Sequence, residues 1–369
     1  MAIFLDAEPD EPRRRSGARV AGGVILALST VAIIAIAFVP SPFVVEQPGP
    51  VFDTLGEVSI DGEDVPLIDI PDQKTYPTAG TLDMLTVSIV GDRERPLNWF
   101  EAATAWLDPS KAVVPVGEIY PVGVTVEQSS EESRIQMETS QQEAIAAAFA
   151  ELDYDFTSTL TVGGFTEQSA AEGILEEGDV ITSVNGESFI YVSQLRGVLA
   201  ENGIDKPVTL TVQRGGEEKT LEVTPMLSGG ANSAPVLGVL ITSAYEFPFD
   251  VTIQLENVGG PSAGQMFALG IIDKLTKGEL NGGENIAGTG TISGEGAIGA
   301  IGGIRQKMYG AVDAGARWFL APASNCNEVT GHIPDGLTVI AVETLDDSLA
   351  ALESISSGTT DALPACPTP

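Results

Sequence analysis

The sequence predicts an α+β protein of several domains behind a single apolar N-terminal helix. Three observations predict it. The 369 residues are 43% hydrophobic, enough to build more than one core. The stretch from Val20 to Val39 carries no charge. Beyond it, strand-like alternation and helix-like spacing are mixed along the chain.

The net charge is −34, from 52 acidic against 18 basic residues. Such a chain is repelled by a polyanion, so nucleic acid is not an expected partner. The single histidine, His332 in TGHIPDG, excludes a multi-histidine metal site and has the setting of an ordinary loop residue. Two cysteines, Cys326 and Cys366, are too few for a structural zinc site. They can pair in an oxidising compartment or stay as two thiols. No metal or cofactor is called for.

Residues 1–19 are polar and hold Arg13, Arg14, Arg15 and Arg19. Val20–Val39, at about 1.5 Å per residue, would cover about 30 Å, the thickness of a bilayer's hydrocarbon. Arginines precede it and no Lys or Arg follows until Lys74. The expected topology is therefore a single pass, residues 1–19 cytoplasmic and the bulk of the chain extracytoplasmic. A cleaved signal peptide ending near Ala35-Ile36-Ala37 is the rival; the length of the apolar run favours a retained anchor in the lipid. Residues 41–148 are expected as a β-rich extracytoplasmic region. Within it, Thr81–Val90 alternates as a strand and Arg95–Pro109 has helical spacing up to a proline. A helix is expected from Ser140 to Asp155, capped by Ser140 with Glu143 at the capping-box position.

Residues 149–227 change character. STLTVGGF is a strand, Asn185-Gly186 a tight turn, Tyr191–Gly203 a helix, and the segment around Gly215-Gly216 a hairpin. The order of SAAEG, GDVI and VNG resembles a PDZ domain of the bacterial protease-associated type. That resemblance implies a groove that adds a peptide as a strand and binds its terminal carboxylate on backbone N–H groups. The carboxylate loop would be Glu151–Phe156, with Leu152, Asp153 and Tyr154 at the groove. Asp153 stands where such loops carry glycine, and its charge opposes a carboxylate.

Residues 228–235 are expected as a linker, 236–356 as a second α+β domain, and 357–369 as a loose tail. The chemistry turns on ENVGGPSAGQMFALGII, Glu256–Ile272. Ser262 there is either a helix cap or a nucleophile. A serine nucleophile needs a base, and His332 is a poor candidate. Lys307 lies beside an apolar stripe of Ile304, Met308, Ala311 and Val312. Burial on that stripe would lower its pKa from about 10.4 towards a working pH. Otherwise it is a solvated helix lysine. Gly294, Gly296 and Gly299 match a dinucleotide fingerprint by letters, but strand-like AIGAI follows them instead of a helix. No GxxxxGK[ST] occurs, so ATP is not an expected ligand.

GPSAG at 260–264, GTGTISGEG at 288–296 and IGGIRQK at 301–307, in this order, resemble the proteolytic domain of the Lon family. The resemblance implies a Ser-Lys dyad of Ser262 and Lys307, with Thr289 supporting the lysine. It implies an oxyanion hole from N–H groups near Ser262, and substrate backbone approaching over Gly260, Ala263 and Gly264. Many ATP-dependent Lon proteins carry an acidic residue where this chain has Gly259. The order of anchor, PDZ domain and Lon-type domain without an ATPase resembles the YlbL-like membrane proteases of Gram-positive bacteria. The expected function is an ATP-independent serine endopeptidase acting on extracytoplasmic proteins or peptides. The rival is a catalytically silent, membrane-tethered PDZ scaffold. Lon-type domains often form rings, so a homo-oligomer stays open.

Overall fold

The structure, a computed structural model, describes residues 17–37, 39–120, 123, 125–166, 168–228, 233–256 and 258–367. The side chains of 17–20 and 32–37 lie outside that description. The chain divides into two compact units, residues 1–47 with 89–124, and residues 48–88 with 125–369.

In the first unit, helix α1 covers Gly17–Ala37. Its described side chains, from Ala21 to Val31, are all exposed. Among the described residues no helix is long and apolar enough to cross a membrane. The expected span at Val20–Val39 falls partly outside them, and residues 1–16 of the expected cytoplasmic tail lie wholly outside. Helix α2 covers Trp99–Ala105, shorter than its sequence pattern. Asn98 and Glu101 form a reciprocal capping box that sets its start. Residues 43–46 pair antiparallel with 112–115.

The second unit is built on two larger sheets, beside several two-stranded ones. One is antiparallel, in the order Glu217–Val223, Val208–Arg214, Val180–Val184, Thr157–Phe165, Val239–Glu246. Helix α4, Val192–Asn202, lies over its core of Val162, Ile181, Leu195, Leu199 and Leu210. This is the region expected as a PDZ domain. Strand Val239–Glu246, beyond the boundary expected at 227, also belongs to this sheet, pairing with Thr157–Phe165. Residues 229–232 of the expected linker lie outside the described residues.

The other sheet is parallel: Thr338–Val342, Trp318–Pro322, Asn285–Gly288, then residues 81–84. Alternate residues of each strand enter different cores. Leu82, Ile286, Leu320 and Ile340 pack with helix α5, Gly264–Leu275. Leu85, Ala287, Phe319 and Val339 pack with helix α6, Ile304–Asp313. The two helices thus cover opposite faces of the sheet, as strand alternation requires. Helix α7, Leu345–Ser356, completes the first of these cores. Thr81–Val90 forms a strand as expected, but it pairs with Asn285–Gly288. Residues 48–88 therefore fold with the second α+β domain and not as part of a separate β-rich region.

The longest helix, α3, runs from Val126 to Glu151. The expectation of a start at Ser140 is corrected. Thr125 and Gln128 form the capping box. The turns between 126 and 139 are so polar that they show no apolar periodicity. Glu143 accepts from the Tyr245 hydroxyl at 3.0 Å and from the Gly294 N–H, joining the two sheets' domains.

Cys326 and Cys366 are disulfide-bonded across a separation of 40 residues. The expected loose tail is corrected as well. Ala341 N–H donates to the Pro364 carbonyl and the Thr330 hydroxyl to that of Pro367. Closing a loop of this size restricts the unfolded chain by about 4 kcal/mol. Reduction is expected to lower the urea midpoint accordingly. An unchanged midpoint for Cys366→Ser would refute it.

Candidate active site

The residues of the site come from three elements that meet beyond the carboxyl end of strand Asn285–Gly288. Ser262 stands two residues before α5, Thr289 directly follows the strand, and Lys307 lies in the first turn of α6. Helices on opposite faces of a parallel sheet both start at that end, which is where such sheets gather their sites.

Lys307 Nζ lies 2.7 Å from Ser262 Oγ and 2.9 Å from Thr289 Oγ1. Lys307 is 2% exposed and Thr289 fully buried. Burial penalises the ammonium form and pulls the Lys307 pKa down to about 7. Thr289 donates its hydroxyl proton to the Ser262 carbonyl at 2.9 Å. It must therefore accept from the lysine. A neutral amine that donates one N–H to Thr289 keeps its lone pair for the Ser262 hydroxyl. Gly290 N–H also donates to the Ser262 carbonyl, at 2.9 Å, so strand and nucleophile loop are held together twice.

A cavity of about 240 Å³ opens beside Ser262, walled by Met84, Leu85, Met137, Val258 and Ala263. Among the described residues neither the Ser262 nor the Ala263 N–H has a hydrogen-bond partner. The Gly260 N–H is not free: it donates to the Ser133 carbonyl of α3 at 2.8 Å.

Residues 257–354 match the Lon protease (S16) C-terminal proteolytic domain. The matched segment holds Ser262, Thr289 and Lys307. A second segment, residues 134–224, matches a PDZ domain. The Lon protease of Geobacter metallireducens is 35% identical over 116 residues, 30% of this chain and 14% of that protein. Lon protease 2 of Bacillus subtilis is 30% identical over 168 residues, 44% of this chain and 29% of that protein. The chain thus spans under a third of the length of either Lon relative. The PDZ domain of an SdrC-like protein from Listeria innocua is 23% identical, with a TM-score of 0.21, covering 22% of this chain and 92% of that one. The chain therefore carries a Lon-type proteolytic domain and a PDZ domain, and the former supports a serine peptidase.

Helix α3 is the part of the site that sequence reasoning missed. It lies outside the Lon-type match over the turns that contact the nucleophile loop. Ser140, buried, donates to the Pro261 carbonyl at 2.9 Å; Ser133 receives Gly260; Met137 faces the cavity. The contacts span more than a hundred residues, and no local pattern signals them. Gly264 is packed, not open: an added Cβ would meet Ser140 Oγ and Ile292 Cγ2 at 2.8 Å. It serves helix packing rather than substrate approach. His332 sits exposed on its loop.

The residues expected at the PDZ groove stand at the end of α3. Leu152 is the C-cap of α3, Asp153 follows with φ 57°, and Tyr154 packs its ring on Phe149 and Phe249. These three residues terminate a helix. An apolar groove, about 610 Å³, lies between α4 and strand Val239–Glu246, lined by Leu195, Leu199, Leu237, Val239 and Ile241. The Leu237-Gly238 turn that enters this strand comes after the hairpin in sequence.

Proposed function

We propose that this chain is a membrane-anchored, ATP-independent serine endopeptidase, with Ser262 as nucleophile and Lys307 as general base. The contact between a buried lysine and a half-buried serine hydroxyl supports the assignment most directly. Ser262 Oγ attacks the peptide carbonyl carbon as its proton passes to Lys307 Nζ. The carbonyl π electrons move to oxygen, which the N–H groups of Ser262 and Ala263 receive at the start of α5. Lys307 then protonates the leaving amine, leaving an acyl-enzyme that water hydrolyses by the same route reversed. Thr289 keeps the amine oriented throughout.

The narrow cavity favours extended, unfolded segments as substrates. The groove on the PDZ domain is suited to a peptide strand, so it would recruit substrate or partner. The charge-free run Val20–Val39, with its arginines before it, supports an anchor that leaves the catalytic domain extracytoplasmic. The PDZ groove also suits a scaffold without catalysis. The test uses the full chain in detergent with an unfolded protein mixture, mapping new peptide termini by mass spectrometry. Wild type is expected to make new termini and Ser262→Ala none. Identical profiles from two folded proteins would leave the scaffold.

A further inference from the structure

The first unit presents an apolar face without protein cover. Phe100 is 63%, Trp106 56% and Leu107 85% exposed. Phe100 lies on α2, whose buried residues are Ala102 and Ala105; Trp106 is its C-cap and Leu107 follows in the turn beyond. Phe43 meets both Trp99 and Trp106 edge-on, with ring centroids 5.7 Å apart in each pair. The aromatic group is thus held in place. Large apolar side chains clustered in the open mark a contact surface.

Its position indicates the occupant. The Trp99 N–H donates to the Val39 carbonyl at 3.3 Å, and the Ser41 N–H to that of Leu97 at 2.7 Å. Val39 is the last residue of the charge-free run. The start of α2 is therefore tied to the point where that run leaves the hydrocarbon, and α1 and α2 are neighbours. Trp and Phe at that level match the aromatic belt of membrane proteins, whose rings sit among the headgroups. Charge argues for a neutral lipid surface. No Lys or Arg lies between Arg95 and Lys111, and the whole chain is at −34. Attraction to anionic lipid has few cations to act through here, Arg95 and Lys111 flanking the stretch.

We propose that the exposed side chains of α2 and the turn that ends it, Phe100, Trp106 and Leu107, form a docking surface for the headgroup–acyl boundary of a zwitterionic bilayer. The inference rests on the anchored reading above. The test reconstitutes the full chain into phosphatidylcholine vesicles with acyl chains brominated near the headgroup or near the chain end. Trp99→Phe and Trp318→Phe leave Trp106 as the reporter. Trp106 is expected to lose most of its emission to shallow bromines and little to deep ones. Adding Phe100→Ser and Leu107→Ser is expected to restore the emission while the chain still floats with the vesicles. A chain that floats with Trp106 unquenched keeps its anchor and overturns the docking surface. A chain that does not float overturns the anchor and the surface with it. Emission that blue-shifts with protein-to-lipid ratio, without quenching, assigns the face to a second copy and overturns the proposal.

Discussion

Lys307→Ala is expected to lower peptide-bond cleavage by about 10²–10⁴-fold, the range that general-base catalysis contributes. In the wild type the rate is expected to rise with pH through about 7, where the buried Lys307 releases its proton. Lys307→Arg should be as inactive as alanine, because a guanidinium stays protonated. The same proton enters stability. Between about 7 and the ordinary lysine value, the unfolded chain binds a proton that the folded chain has released. Folding therefore becomes more favourable as pH rises across that window, and below it the cost of the buried charge is at its fullest. Denaturation of wild type and Lys307→Met across pH 6–10 isolates this dependence: the wild type should gain more, because burial also lowers the Lys274 pKa in both proteins. A pH-independent rate, or equal pH slopes in the two unfolding series, would remove Lys307 from the role of base.

Gly259→Asp is expected to reduce activity about 10²-fold and stability by about 1–3 kcal/mol. A Cβ at Gly259 would stand 2.7 Å from the Ser133 Cβ and 3.3 Å from the Ser133 backbone. To fit it, α3 or the nucleophile loop must move, and the hydrogen bond from the Gly260 N–H to the Ser133 carbonyl breaks first. Gly259 and Lys307 also line the same cavity. A carboxylate there favours the ammonium form and should move the pH limb upwards. Cleavage rate, pH profile and melting temperature decide it together. Ser133→Gly on the same background should recover part of the stability and none of the pH shift. A Gly259→Asp enzyme matching wild type in rate and melting temperature would show that α3 does not confine this loop. The absence of an acidic residue before GPSAG thus has a steric reason.

How far the sequence reached depends on the range of the forces involved. Hairpins around Gly215-Gly216, the strand Thr81–Val90 and helix α4 were legible because turn residues and apolar periodicity act over a few residues. Ser262, Thr289 and Lys307 were legible because each stands in a short motif, and the structure brings them within hydrogen-bond distance. The start of α3 was missed although Thr125 and Gln128 carried a cap signal, because the polar turns that follow have no apolar stripe. That Val239–Glu246 pairs with Thr157–Phe165 and that Leu152 caps α3 were not legible, because the strand follows the hairpin in sequence and its pairing is long-range.

By itself, the sequence determined that a charge-free N-terminal run precedes two folded domains, and that one serine and one lysine are the candidates for chemistry. The tertiary structure alone decided that α3 closes over the nucleophile loop, taking the Gly260 N–H and filling the space above Gly259 and Gly264. It alone buried Lys307 deeply enough to bring its pKa down to about 7. Both depend on desolvation and packing between segments far apart in the chain, which no local spacing of residues encodes.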